Sequence, residues 1–184
     1  MSPIANPTTG RIGALQGASS SHIQALLGDF AALAARRGYH VVGVVEIPCG
    51  EPAGACRRLA LRDLSSGAVT SISQNLGPGS TACSLDAGAL AQACGRVERA
   101  IAAGADLVIL SKFGKQEAGR GGLADAFRAA AVAGLPMLTA VAPAMNEAWH
   151  RFAGSLSELL PAEVQSVEAW WERTRAGPGL RAAG

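Results

Sequence analysis

Four short segments of this chain are apolar at nearly every residue: "RIGAL" (11–15), "HVVGVVE" (40–46), "DLVIL" (106–110) and "MLTAV" (137–141). A strand with one face in water would alternate apolar and polar side chains. Runs apolar throughout, and this short, fit parallel strands covered on both faces. Helical patterns lie between them. One spans about His22 to Arg37, with Ile23, Leu26, Leu27, Phe30 and Leu33 on one stripe and Gly38 at its end. A second follows Asp86 at an N-cap position, turns Leu90, Cys94, Val97 and Ile101 inward, and stops at Gly104. A third places Leu123, Phe127, Ala130 and Ala131 inward, and a fourth carries Trp149, Phe152, Leu156 and Leu159. Residues 161–176 fit either a short edge strand plus a helix or one helix.

Strand–helix alternation predicts an α/β fold: a mostly parallel sheet with helices on both faces. One stretch breaks the alternation. "RRLALRDL" (57–64) and "AVTSISQ" (68–74) alternate in polarity around "SSG", which predicts a β-hairpin insertion. The Gly/Pro-containing "NLGPGSTACS" (75–84) then leads back to helix. The 184 residues suit a single domain over 10–176, with a disordered leader at 1–9 and a frayed tail at 177–184.

Composition excludes several roles. A net charge of +2 is too small to argue for a nucleic-acid partner. No apolar run reaches the ~18 residues of a membrane span. The first residues lack the basic-then-apolar pattern of a signal peptide. Cys49, Cys56, Cys83 and Cys94 form no close pair, so reduced thiols and a cytoplasmic location are expected. Homo-oligomerisation stays open.

Right-handed crossovers put the loops that follow parallel strands on one edge, where α/β proteins bind ligands. These loops are 16–21, the one after Glu46, 111–122 and 142–147. In the first, "LQGASSSHIQ" supplies Gly17, Ser19, Ser20 and Ser21 but no lysine. A phosphate-binding loop of the Walker type needs that lysine. The serines could still bind an anion beside the free N–H groups of a helix start, or one of them could simply cap the helix. His22 is either a pH-sensitive anion ligand or an exposed helix-start residue.

The order of elements resembles the small P-loop nucleoside triphosphatases first described in thermophiles. Their D-E-x-G-K-x-E motif lines up with "SKFGKQE": Gly114, Lys115 and Glu117 match, while Ser111 and Lys112 stand where the acids would be. The "LRDL–SG" and "ISQ–LGPG" stretches, the cysteine that follows, and "KFGKQE" more closely resemble an uncharacterised bacterial family related to that fold. Its genes often lie beside molybdate-transport genes. The resemblance covers roughly residues 10–160. It implies a P-loop-like fold and a role in molybdenum handling, with molybdate-transport or molybdenum-cofactor proteins as partners.

Phosphoryl transfer needs Mg²⁺ held by a hydroxyl and an acid, and a lysine on the phosphates. The first-loop lysine is missing, and Asp106 lies at the wrong end of its strand. ATP hydrolysis is therefore not expected. Lys112, Lys115 and Arg120 make the edge cationic, which suits a bare oxyanion such as phosphate, sulfate or molybdate better than a metal–nucleotide complex. Gln116 belongs to the same stretch. Glu117 would be the base if the protein were an enzyme. Alternatively, these are solvated loop charges with Glu117 paired to one of them, and Gly114, Gly119, Gly121 and Gly122 make a flexible loop or lid.

Gln74, Asn75, Ser80 and Thr81 are neutral donors that could complete an oxyanion shell, with Cys83 as a soft metal ligand. The other reading of this stretch is a chain-redirecting turn. Trp149, Trp170 and Trp171 are either core anchors or contacts for a protein partner. The expected function is non-hydrolytic binding of a small oxyanion or phosphate-bearing ligand. The alternatives are a nucleotide-binding protein or hydrolase with relocated groups, and an interaction module for a transporter or cofactor-assembly protein.

Overall fold

The computed structural model describes residues 10–49, 58–74 and 84–176. The leader, the tail, Asn75, Ser80, Thr81, Cys56 and Cys83 lie outside these residues. The elements follow in the order β1 (Ile12–Gln16), α1 (Ser20–Arg36), β2 (Val41–Pro48), β3 (Leu59–Asp63), β4 (Val69–Ser71), β5 (Ser73–Gln74) and β6 (Ser84–Leu85). Then come α2 (Ala87–Ala103), β7 (Leu107–Phe113), α3 (Lys115–Ala118), α4 (Ala124–Val132), β8 (Met137–Val141), α5 (Asn146–Ala153), β9 (Ser157–Pro161) and α6 (Val164–Arg175).

Seven strands form one sheet in the order β4-β3-β2-β7-β8-β1-β9, and β5 pairs with β6 in a small ribbon. The β2–β7, β7–β8, β8–β1 and β1–β9 pairs are parallel, while β2–β3 and β3–β4 are antiparallel. This is the expected α/β architecture with its hairpin, consistent with a P-loop-NTPase-like fold. The apolar strands are buried on both faces, as their composition requires. Leu15, Val45, Ile109 and Leu138 pack under α1 and α6, while Val44, Val108, Leu110 and Val141 pack under α2, α4 and α5. At Gly43 the backbone adopts φ +128°, and a Cβ would lie 1.8 Å from the Ile109 carbonyl oxygen, so only glycine fits beside β7.

Asp86 caps α2 as expected, its Oδ1 accepting from Ala89 N at 2.9 Å. Leu90, Cys94, Val97 and Ile101 are all buried beneath that helix. Burial pushes the Cys94 thiol up, as for a packing residue rather than a nucleophile.

Two expectations need correction. The fourth helix ends at Ala153, and Ser157–Pro161, including Leu159, is the edge strand β9, pairing with β1. Gly154, at φ +51°, breaks the helix before Leu156. The ambiguity over 161–176 therefore resolves as strand then helix, with the strand starting earlier. Of the two readings of the tryptophans, the core anchor holds: Trp149 and Trp170 are 0% exposed and Trp171 is 1%. Their polar ends find partners inside, Trp149 Nε1 on Ser157 Oγ and Trp170 Nε1 on the Gly10 carbonyl, each at 2.8 Å. Second, β7 does not stop at Leu110. It continues through Ser111 and Lys112 to Phe113, whose ring packs against Phe127 and Trp149.

Candidate functional site

The carboxyl edge of the sheet opens where parallel pairing gives out. β2 and β7 pair as far as Val44–Leu110, but beyond that β2 follows β3 up to Pro48–Leu59. On its other side β7 pairs with β8 at Leu110–Thr139 and next at Phe113–Val141, so Ser111 and Lys112 oppose Ala140 alone. This is a bulge, a device that re-aims side chains at sheet edges. Gln24, buried on α1, spans the opening. Its Nε2 donates to the Ser111 carbonyl at 2.6 Å, and its Oε1 accepts from Glu46 N at 2.8 Å. The amide thus holds the diverging strand ends where no ladder hydrogen bond can.

Lys112 leaves the bulge to meet Glu46, with Nζ 2.7 Å from Oε1. The glutamate side chain is 6% exposed and the lysine side chain 41%. The lysine standing where an acid might be expected is therefore the counter-ion of an acid on the neighbouring strand. Lys112 is not a solvated loop charge, and it is not a free cation.

The first loop leaves β1 at Gln16, turns at Gly17 (φ +90°) and enters α1. Ser19 is the N-cap: its Oγ accepts from His22 N at 3.3 Å and lies 3.2 Å from Ser21 Oγ. Capping thus accounts for Ser19. Ser20, exposed, lines the cleft beyond. His22 is also exposed and takes part through its backbone.

Glu117 behaves differently. The stretch after β7 folds back as the short helix α3, burying Glu117 to 4% exposure. Its Oε2 accepts from Gly114 N at 2.9 Å and its Oε1 from Leu123 N at 3.0 Å. Gly122 sits at φ +58°, and a Cβ there would stand 2.2 Å from Glu117 Oε1. The glycines thus build a folded staple around a carboxylate, not the flexible lid anticipated, and Glu117 pairs with backbone amides rather than with a lysine. Lys115, Gln116 and Arg120 are exposed around it.

Among the described residues, three clefts open at this edge: one of about 450 Å³ beside the end of β9, lined by Gly17, Pro143 and Glu163, and two against the loops of the site. A cleft of about 310 Å³ lies between Gly17 and Ser20 of the first loop, Lys112 and Lys115 of the second, and Ala142–Met145 after β8. Three of the four loops predicted to share an edge thus line one cleft; the loop after Glu46 lies largely outside the described residues. A larger cleft of about 590 Å³ runs from Ser20 and Ser21 along α1 to β2 and β3, with Glu46, Lys112 and Arg62 in its wall. Gln74, exposed on the β5–β6 ribbon, lines none of the three. Among the described residues, no group of three or more His, Cys, Asp or Glu side chains is placed to hold a metal ion.

Glu46, Gln24 and Arg62 were not singled out by the sequence reading. Two of them carried a signal. Glu46 is an acid ending an otherwise apolar strand, and Gln24 is polar on a helix stripe of Ile23, Leu26 and Leu27.

A family model described as "Protein of unknown function (DUF2478)" matches residues 12–170. The chain belongs to this family. It is also 40% identical over 164 residues to the "Molybdenum import ATP-binding protein ModC 2" of Bradyrhizobium diazoefficiens. The match covers 89% of this chain but only 18% of that protein. No solved structure matches. No helix among the described residues is long and apolar enough to cross a membrane.

Proposed function

We propose that this protein binds a small oxyanion or phosphate-bearing ligand at the carboxyl edge of its sheet, without hydrolysing it, in the handling of molybdenum. One observation carries the reading: Gly17 and Ser20 line the same cleft as Lys112 and Lys115. Ser20 brings a hydroxyl and Lys115 a cation with no ion pair among the described residues. Lys112 enters already paired with Glu46, so Lys115 supplies most of the net attraction. The lysine that Walker-type loops use is absent from residues 16–24. No acid lines the 310 Å³ cleft; in the larger one Glu46 is engaged by Lys112, and Asp29 stands exposed on α1. Asp106 stands at the opposite edge, accepting from His40 N at 2.7 Å. Phosphoryl transfer has neither of its usual supports.

The test is a thermal-shift titration with molybdate, sulfate, phosphate and ATP, with and without Mg²⁺, alongside a hydrolysis assay. A ligand that binds only the folded state raises the melting temperature by mass action. Concentration-dependent shifts without Mg²⁺, and ATP turnover no faster than buffer, are expected. Flat titrations with every anion defeat the reading.

The relative favours a second reading. There, a homologous segment forms 18% of a protein named for molybdenum import and ATP binding. Covalent linkage in one protein is consistent with contact between separate proteins in another, so this chain is a candidate accessory to the ATP-binding part of a molybdenum importer. Co-purification with such a subunit, tested pairwise, checks it.

A further inference from the structure

The 310 Å³ cleft proposed above for the oxyanion is not isolated, because Ser20 and Lys112 line the 590 Å³ cleft as well. We infer that the two form one site for an organic anion of about nucleotide size, with the anionic group in the small lobe and a largely apolar body in the large one. This rests on the oxyanion reading and narrows its ligand class.

The large lobe has the character of an organic-ligand site. Clefts of roughly 300–1,000 Å³ that are mostly apolar, with a few fixed polar groups, hold drug-sized molecules. A bare tetrahedral oxyanion would leave most of this space unfilled and gain nothing from its walls. The apolar walls are Ala25 on α1, Val45, Ile47 and Pro48 on β2, and Leu59 on β3, with the exposed Asp29 of α1 as the one carboxylate besides Glu46.

The polar groups there are held in place. Glu46 is 7% exposed, its backbone N–H is tied to the buried Gln24, and its Oε1 is tied to Lys112. Oε2 has no partner among the described residues and stands as an acceptor for a ligand N–H or O–H. At the far side, the Arg62 guanidinium lies against α1 at Gly28, where a Cβ would come within 3.0 Å of Nη2. The missing side chain at Gly28 gives Arg62 its seat over the cleft. Arg62 has no ion pair among the described residues, leaving its planar face and donors for the ligand.

The test compares inorganic phosphate, ribose 5-phosphate, AMP, GMP and guanosine by calorimetry or thermal shift. At least one nucleoside monophosphate should bind tenfold or more tighter than both inorganic phosphate and ribose 5-phosphate. Ala25→Trp, at an exposed helix position, should fill the large lobe, removing that gain while sparing phosphate binding and the ligand-free melting temperature. Arg62→Ala should weaken the monophosphate several-fold and inorganic phosphate little. If inorganic phosphate binds as tightly as every monophosphate, or the gain survives Ala25→Trp, the inference fails and the oxyanion reading stands. If guanosine binds as well as GMP, the small lobe takes no anion and both fail; no binding by any of these probes ends the inference, while the oxyanion reading then stands or falls on molybdate and sulfate.

Discussion

Two glutamates flank the same sheet edge and are almost equally buried, Glu46 at 7% and Glu117 at 4% exposure, yet their surroundings differ in kind. Glu117 is satisfied by two backbone N–H groups of its own loop, those of Gly114 and Leu123. Glu46 is held through one oxygen by a side chain from a neighbouring strand, the half-exposed Lys112. The first arrangement is closed and shapes the loop. The second lies in a cleft wall, and its partner can exchange one contact for another. Burial of a charge marks importance in both places, but only the partner shows whether that importance is architectural or open to a ligand.

The largest expected effect is at Glu117. Glu117→Ala leaves two backbone donors without their charged acceptor, and hydrogen bonds to charged groups contribute about 1.5–3 kcal/mol each. Allowing for water at the loop surface, the variant should lose about 3 kcal/mol in denaturant unfolding. Its melting temperature should fall by several degrees. Glu117→Gln, which keeps one acceptor oxygen, should lose less. A Glu117→Ala protein as stable as the parent would place this carboxylate with Glu46, as a site group rather than a staple.

Lys112→Ala comes next. It strands the Glu46 carboxylate at 6% side-chain exposure. Breaking a fully buried pair costs about 3–5 kcal/mol, but Lys112 is 41% exposed and solvent screens part of the interaction, so about 2 kcal/mol is expected. Glu46→Gln should cost only about 1 kcal/mol, since it leaves a lysine that water can reach. The double variant should therefore be more stable than Lys112→Ala alone. Glu46→Gln also frees a cation at the cleft, so molybdate should bind that variant several-fold tighter, more so at low salt. Unchanged anion binding would remove Lys112 from the site.

The different visibility of the two glutamates in the sequence has a physical cause. Continuous apolar runs and a 3,4-spaced stripe report burial directly, so the four apolar parallel strands, the α2 core residues and the Asp86 cap could be read in advance, whereas the half-exposed edge strand β9 could not. The "KFGKQE" string drew attention to Glu117 because of its charge and glycines, yet its spacing encodes a fold-back in which Gly122 is required by a 2.2 Å approach. Glu46 was hidden because its role depends on strand order. β2 and β7 are 66 residues apart in sequence at every paired position of their ladder, and only the sheet makes them neighbours. The bulge at Ser111 and Lys112 is a register fact, and no local pattern announces it. A strand that ends in charged residues reads as a strand followed by a loop.

The smallest effect separates the two lysines. Both stand in the "KFGK" stretch, and sequence alone treats them as equivalent exposed charges. Lys112 is locked to Glu46, whereas Lys115 projects from α3 with no ion pair among the described residues. Solvent-exposed charges contribute about 0–1 kcal/mol to folding, and an unpaired one sits at the low end, so Lys115→Ala should shift the ligand-free melting temperature by no more than about a degree. Its effect should appear only with ligand, as a reduced stabilisation by molybdate or phosphate that declines further as salt is raised. The contrast is then complete: Lys112→Ala lowers stability in the absence of ligand, while Lys115→Ala lowers only the response to ligand. Equal behaviour of the two variants in both measurements would mean that the ion pair to Glu46 contributes nothing in solution, and the distinction between the closed and the open glutamate would fall with it.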